Sequence, residues 1–274
     1  VTGGVVVAGQ SVDIEAYAAE LLGVYAGSPP VAAFTPELPA GTDLSVAYRI
    51  QQVQVAAWVA AGDAVKGHKV GLASRAIQRQ MGVAQPDFGH LTASMFHLEH
   101  APIPVGTFIQ PRVEPEVAFV LGRPLAGPGV TLADAVRAVE FVLPSLEFVD
   151  SRIANWQIRI FDTIADNASS GGVVLGSRPV RLEDVDLRLM GCNLSVNGET
   201  VATGGGGAVL GSPLNSLVWL ANTVGALGVT LEPGHVVLPG SMTAAFAVSP
   251  GDTIVAQMSG LGSVSAVLGR EESS

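Results

Sequence analysis

The chain has 274 residues, of which 48% are hydrophobic and only 14% charged, and its net charge is −10. That length is enough to bury a sizeable core as one large domain or two modest ones. The acidic balance, with no cluster of Lys and Arg, excludes a general affinity for nucleic acid, whose phosphates need a basic surface. A single cysteine, Cys192, excludes an internal disulfide and any Cys-x-x-Cys zinc site; it fits a reducing cytosol and reads as a small buried apolar residue. The first residues lack the basic region and continuous apolar core of a signal peptide. Residues 200–231 carry no charge, but glycines, a proline and polar residues break them, so they read as loop plus buried helix and not as a membrane span. A soluble cytoplasmic protein is expected.

Taken in order, residues 11–26 read as a short helix followed by a Pro-rich connector (Pro29, Pro30, Pro36, Pro39). A second helix is predicted over 43–61, with Asp43 as N-cap and an apolar stripe of Leu44, Ala47, Ile50, Val53, Ala57 and Trp58. Residues 66–72 read as a strand leading to a short helix capped by Ser74, and 85–89 as a turn. From Phe108 onward strands dominate, near 108–121, 142–150, 172–175, 187–196, 236–239, 253–258 and 263–268. Asn197-Gly198 is a hairpin signal, and 204–207, four glycines, reads as a flexible loop. Two helices interrupt the strands. One, over 132–141, opens on a capping-box-like Thr131 and Asp134; the other, over 213–227, opens on Ser212 as cap and Pro213 at its first position. Strands outnumber alternating βα units, so the expected class is α+β. The expected form is a mixed β-rich fold with a helical N-terminal lobe over 1–65 and a catalytic part over 66–274, as two units or one.

The acidic residues in apolar segments carry the chemistry. Glu114 and Glu116 lie in Arg-Val-Glu-Pro-Glu-Val-Ala-Phe-Val-Leu, which reads as a strand, so both side chains point to one face. Burying two unpaired carboxylates together costs several kcal/mol or forces protonation. A hard divalent cation with oxygen ligands removes the conflict, and Glu147, in Leu-Pro-Ser-Leu-Glu, offers a third ligand. A half-exposed strand with its polar face in water is the other reading of the pair. Pro115 between them suggests an edge or irregular strand, since Pro cannot donate to a ladder. Other constellations carry less. Asp87-Phe88-Gly89 has no kinase loop beside it, 204–207 has no Gly-Lys-Ser/Thr after it, and no Gly-x-Ser-x-Gly elbow occurs. His97 and His100 read as an exposed turn, His68 as structural, and His90 and His235 as turn residues without a role.

Six segments in consistent order between about 43 and 269 carry a resemblance. They are Lys-Val-Gly-Leu-Ala-Ser (69–74), Gly-Val-Ala-Gln-Pro-Asp-Phe-Gly (82–89), Gln-Pro-Arg-Val-Glu-Pro-Glu-Val-Ala-Phe-Val-Leu (110–121), Leu-Pro-Ser-Leu-Glu (143–147), Asp-Ser-Arg-Ile (150–153) and Asp-Thr-Ile-Ala-Asp-Asn-Ala-Ser-Ser-Gly (162–171), and Gly-Ser-Pro-Leu-Asn (211–215) and Gly-Leu-Gly-Ser-Val (260–264) continue the order. Together they resemble the signatures of the 2-hydroxypentadienoate (2-oxopent-4-enoate) hydratases, within the fumarylacetoacetate hydrolase superfamily. The resemblance implies that Glu114, Glu116 and Glu147 bind Mg²⁺ or Mn²⁺. It implies catalytic roles for Lys69 and Asp87, and places Leu72 and Ser169 close to the substrate; Asp162 and Asp166 are reserve candidates for contacts to the ligands or to Lys69.

The implied reaction is hydration of 2-hydroxypenta-2,4-dienoate, or a hexadienoate homologue, to a 4-hydroxy-2-oxo acid in meta-cleavage degradation of aromatic or steroid rings. A homo-oligomer, with association to neighbouring pathway enzymes, is implied as well. Against the catalytic roles stand a surface lysine at 69 and a turn-capping aspartate at 87. A 4-oxalocrotonate-type decarboxylase is the alternative, because residues 238–243 resemble that form of the loop, whereas 167–171 resemble the hydratase form. The non-enzyme alternative is a metal-binding partner subunit.

Overall fold

The structure is a computed structural model, and it describes residues 4–7 and 10–270. A small antiparallel pair, β1 (Gly4–Val7) and β2 (Gln10–Asp13), precedes helices α1 (Ile14–Tyr25) and α2 (Leu44–Ala60). Residues 11–13, expected as helix, are therefore strand. The helix starts where the Asp13 carboxylate accepts the Ala16 amide (3.0 Å), and Asp43 caps α2 in the same way through Ser45 (2.8 Å).

Next come β3 (Val65–Gly71), α3 (Arg75–Met81), β4 (Asp87–Thr92), β5 (Phe96–His97), β6 (Pro102–Ile103) and β7 (Arg112–Leu121). They are followed by α4 (Leu132–Ala138), β8 (Val139–Val149), α5 (Ile160–Ala165) and β9 (Ser170–Leu175). The chain then forms β10 (Gly191–Val196), β11 (Glu199–Gly205), α6 (Pro213–Gly225), β12 (Val236–Leu238), β13 (Phe246–Ala247), β14 (Thr253–Met258) and β15 (Gly262–Leu268).

One sheet runs β4-β3-β12-β7-β8-β9-β5, with β13 also on β7, and a second runs β11-β10-β14-β15-β6. The main core fills the contact of β8 with β14 and β15 (Phe119, Leu146, Ile254, Val264) and continues under α6 (Leu217, Leu220). Helices α1 and α2 share a second core with α5 through Leu21, Ile50, Phe161 and Ile164. Buried Gln51 and Gln54 fasten that junction by donating to the Phe88, Ile164 and Ala165 carbonyls at 2.7–3.0 Å. This is the expected β-rich α+β architecture with helices leading.

Several boundaries differ from the sequence reading, each for a tertiary reason. Residues 85–89 are not simply a turn, because Asp87 opens β4, which is buried along its whole length and pairs with β3. Helix α4 has the expected capping box but ends at Ala138; Val139–Phe141 join β8, where β-branched and aromatic side chains pair with β7. The strand expected from 108 begins at Arg112, and the one expected from 187 begins at Gly191. Ser212 makes no side-chain cap, although Pro213 opens α6 as expected.

The four glycines at 204–207 end β11 and enter a short 3₁₀ turn. A Cβ at Gly204 would lie 1.9 Å from the Met242 carbonyl oxygen, and one at Gly206 would lie 1.7 Å from that of Leu187. Close backbone packing, not flexibility, requires glycine there. Pro115 sits inside the sheet, not at its edge. However, β12 pairs β7 only at Phe119 and Val120 and β13 only at Arg112 and Val113, and in the gap between them the Pro115 carbonyl accepts the Met242 amide (3.2 Å). The proline therefore occupies the place where a ladder donor is not needed.

His68 and His90 are buried on the sheet, with ring centroids 4.8 Å apart, and His235 lies 6.1 Å from His68. Neither nitrogen of His68 has a hydrogen-bond partner among the described residues, while His90 Nδ1 lies 3.0 Å from Gln51 Oε1. Burial lowers the pKa of His90 to about 4, so the folded protein binds fewer protons than the unfolded chain between pH 4 and 6.5. Its contribution to stability is complete above about pH 6.5 and falls by roughly 3 kcal/mol as the pH drops to 4. Replacing His90 with Gln should remove that slope. Urea unfolding at pH 7 and at pH 4.5 checks this, and an equal wild-type-to-variant difference at both pH values counts against it.

Candidate active site

The antiparallel register of β7 and β8 places Glu114 opposite Glu147 and Glu116 opposite Ser145. Directly opposed residues share a face, and so do residues two apart on one strand. Period two thus aligns Glu114 with Glu116, and register adds Glu147. One carboxylate oxygen from each lies within 4.8 Å of the others. Glu116 and Glu147 are wholly buried and Glu114 is half-buried. Among the described residues, Glu116 Oε1 and both oxygens of Glu147 accept no hydrogen bond, whereas Glu116 Oε2 accepts the Gly240 amide (2.8 Å).

Lys69 reaches this cluster from β3, two strands from β7. Its Nζ lies 3.3 Å from Glu147 Oε1 and donates to the Ala168 carbonyl at 3.0 Å. Asp87, 1% exposed, stands opposite Gly71, where a Cβ would come within 2.1 Å of Asp87 Oδ1. Glycine at 71 therefore makes room for the carboxylate, and Oδ1 has no donor among the described residues.

The loop between α5 and β9 holds three successive non-glycine residues in the left-handed region: Asn167 (φ 51°), Ala168 (φ 51°) and Ser169 (φ 53°). Such backbone persists only where its surroundings fix it. Here the Asn167 amide accepts from and donates to the backbone of His90 on β4 (2.8 and 2.9 Å), and the Ser169 amide donates to the Asp166 carbonyl (2.8 Å). The turn points the Ala168 carbonyl at Lys69 and brings Ser169 to the pocket.

A cavity of about 380 Å³ results, lined by Lys69, Leu72, Asp87, Glu114 and Ser169, with Glu116 and Glu147 buried behind it. All seven residues singled out in the sequence meet here. Asp162 and Asp166 do not join them. Asp162 binds the Phe34, Thr35 and Arg159 amides, and Asp166 pairs with Arg152 Nε (2.6 Å). Sequence reasoning missed Arg112, Trp156, Ile158 and Ile77, which also line the cavity. Arg112 was within reach of that reasoning, since the alternation that aligns Glu114 with Glu116 includes it.

The electrostatics are unbalanced. Burial raises Glu114 to about 7, with Glu147 and Asp87 adding to it, and Glu116 well above the usual carboxylate range, with Glu147 and Glu114 adding; burial raises Glu147 as well, against the pull of Lys69. Burial also raises Asp87, to about 6, despite Lys69. For Lys69 burial opposes the charge, but Glu147, Asp87, Glu114 and Glu116 outweigh it and hold the ammonium above its ordinary pKa. Four carboxylates thus face one lysine and Arg112. Carboxylates that outnumber their cationic partners in this way, with Glu116 Oε1 and Glu147 Oε2 left without any, form an all-oxygen donor set that suits a hard divalent cation such as Mg²⁺, Mn²⁺ or Ca²⁺.

The fumarylacetoacetate (FAA) hydrolase C-terminal family model matches residues 57–268. The chain is 45% identical over 253 residues to the 2-keto-4-pentenoate hydratase of Paraburkholderia phymatum, covering 92% of this chain and 96% of the relative. It is 47% identical over 229 residues to the TodF product hydratase of Pseudomonas putida, covering 84% and 85%. A similar solved structure is the 4-oxalocrotonate decarboxylase from Pseudomonas putida G7 complexed with magnesium and adipate, at TM-score 0.89 and 36% identity, covering 93% of this chain and 97% of that one. No helix among the described residues is long and apolar enough to cross a membrane.

Proposed function

The chain belongs to the fumarylacetoacetate hydrolase family, and from that premise we propose that it is a divalent-cation-dependent hydro-lyase. Its reaction is addition of water to 2-hydroxypenta-2,4-dienoate, or a hexadienoate homologue, to give a 4-hydroxy-2-oxo acid. One observation carries the reading: identity of 45–47% to hydratases along most of the chain, above the 36% to the decarboxylase, in a protein whose pocket brings Lys69 and Asp87 to three convergent glutamates.

Glu114, Glu116 and Glu147 would hold Mg²⁺ or Mn²⁺. When bound, the cation supplies a Lewis acid for the carboxylate and 2-oxygen of a 2-oxo acid. The other steps fall to the chain. Lys69, fixed as a cation, sets a positive charge beside the acid end of the substrate and orients it. Asp87, with its carboxyl raised to about 6, carries a proton part of the time near neutrality. Protonated, it gives that proton to C5 of the dienol as the 2-hydroxyl releases its own to solvent, leaving the conjugated 2-oxo-3-enoate. As the carboxylate, it then takes a proton from the water that adds at C4, which returns it to the acid form, and C3 receives a proton from solvent to finish the hydration. Ser169 and Leu72 bound the substrate on the side of the left-handed turn.

Lys69→Ala, assayed with Mg²⁺ present, should lower turnover by about 10²-fold or more while far-UV circular dichroism stays that of the wild type. Turnover at the wild-type rate would remove Lys69 from this scheme. The function itself is tested by supplying 2-hydroxypenta-2,4-dienoate and, separately, 4-oxalocrotonate with Mg²⁺. Loss of the dienol ultraviolet absorbance with formation of 4-hydroxy-2-oxopentanoate is expected. Release of CO₂ from 4-oxalocrotonate without hydration of the dienoate would assign the decarboxylase reading instead, which similarity to the decarboxylase structure favours. Metal binding with neither activity would leave the partner-subunit reading. A homo-oligomer that docks neighbouring pathway enzymes belongs to the same proposal and accords with the exposed apolar Val59, Leu98, Val105 and Ile109; light scattering on the purified protein tests the oligomer.

A further inference from the structure

Trp156 stands at the open end of the pocket in a backbone conformation that a bulky side chain disfavours: its φ is 56°, and that of Asn155 before it is 58°. Three contacts hold it there. The indole Nε1 donates to the Gln110 carbonyl (3.0 Å), the Arg112 guanidinium carbon lies 4.4 Å from the ring centroid, and the Ala154 amide donates to the Val31 carbonyl (2.9 Å). Arg112 makes no ion pair within 4 Å among the described residues, and its guanidinium lies over the face of the indole.

Along β7, Arg112 follows the same alternation as Glu114 and Glu116, about 7 Å from Glu114 toward the start of the strand. Burial falls in the same direction, from Glu116 at the base to the half-buried Glu114 and Arg112. A 2-oxo acid held by its carboxylate end at the glutamates must therefore extend toward Arg112 and Trp156. The walls at that end are Ile77, Ile158, Ala244 and Ala245, all apolar.

We propose that Trp156, clamped by Arg112, is the specificity-determining residue that reads the distal substituent of the substrate and restricts the enzyme to 2-hydroxydienoates with no tail or a short apolar one. This rests on the hydratase reading above. A longer tail meets the indole and can enter only by breaking its bond to Gln110 and its stacking on Arg112. The left-handed backbone at residues 155 and 156 persists only while these contacts fix it, so displacing the ring forfeits them together.

The test is kcat/KM on a series with no tail, a 5-methyl group and longer 5-alkyl groups, for the wild type, Trp156→Ala, Trp156→Phe and Arg112→Gln. In the wild type, preference should fall on the order of tenfold per methylene beyond the tolerated length. In Trp156→Ala the ratio of long-tail to methyl substrate should rise at least about tenfold. Arg112→Gln, which leaves the indole unclamped, should move the ratio the same way by less, and Trp156→Phe should keep most of the wild-type preference. Should Trp156→Ala fail to fold, the other two variants decide the matter. An unaltered tail preference in the folded variants overturns the proposal. A distal-carboxylate substrate that the wild type uses as well as the methyl one, and that only Arg112→Gln loses, overturns it in favour of Arg112 as the reader. No turnover of any member by the wild type with Mg²⁺ overturns the hydratase reading and this one with it; turnover with an unchanged preference overturns this one alone.

Discussion

Glu116→Gln is expected to abolish the response of the protein to Mg²⁺ and to lower turnover by about 10³-fold or more, the several kcal/mol that a Lewis acid contributes to the barrier. The substitution is close to isosteric. The amide oxygen of Gln can still accept the Gly240 amide that now bonds Glu116 Oε2 at 2.8 Å, so the loop at 240 keeps its anchor. What changes is one negative charge among three buried carboxylates. Wild-type protein at a hundred times the dissociation constant of Mg²⁺ should gain about 2.7 kcal/mol. For a chain of this size that corresponds to a rise in melting temperature of roughly 5–10 °C. The variant should show no rise, yet should melt at the same temperature as wild type or higher in chelator, because the repulsion is relieved.

The pH dependence separates this from a packing effect. Burial, with the Glu147 and Asp87 carboxylates, raises Glu114 to about 7 in the metal-free protein, so the folded state holds more protons than the unfolded one between about pH 4.5 and 7. The associated stability is present below pH 4.5 and is lost as the pH rises through 7. Glu116 is raised in the same direction by burial, Glu147 and Glu114, so replacing it with Gln removes its own share of that loss. Both proteins keep His90, whose contribution has the opposite sign, so their difference isolates the carboxylates. Equal Mg²⁺-dependent melting shifts in variant and wild type would sink the assignment of these glutamates as ligands.

Asp87→Asn carries the second large effect, a fall in turnover of about 10²- to 10⁴-fold, the range for a positioned acid–base group. Asn matches the carboxylate in size, which matters because Gly71 leaves no spare volume beside Oδ1. The amide cannot exchange a proton near neutrality, so the step at C5 and the activation of water at C4 both suffer. Asp87 lies outside the glutamate trio, so Mg²⁺ affinity, read by calorimetry or by the melting shift, should stay within a few-fold of wild type. Loss of metal binding together with turnover would instead make Asp87 part of the cation site. Asp87→Glu should not rescue activity, since an added methylene carries the carboxyl away from its place opposite Gly71 and out of line with the reacting carbons.

Much of this site was legible in the chain. The pair Glu114 and Glu116 declared itself because two acids at strand spacing in an apolar run are costly unless something compensates them, and low overall charge made the exception visible. Helix caps at Asp43, Ser74 and Thr131 were likewise readable, since a cap is a local bargain between one side chain and an amide two or three residues on. Glu147 joined the pair as a third acid in an apolar run; the family resemblance added Lys69, Leu72, Asp87 and Ser169, and all four line the pocket.

What sequence alone determined were local or periodic properties: which residues share a face, where helices start, and which acids are out of place in their surroundings. Only the tertiary structure decided properties that depend on partners distant in the chain. Asp87 reads locally as a turn residue; it is strand because β3 pairs with it. Glu147 meets Glu114 through antiparallel register, and the left-handed backbone at 167–169 exists because β4, a strand far away in sequence, holds Asn167 by both the oxygen and the nitrogen of its side-chain amide. The far wall at Trp156 is set by a stacking contact with Arg112 across more than forty residues. Spacing fixes neighbours along one strand or helix, whereas contacts between strands follow from how the sheets pair and fold over their shared core.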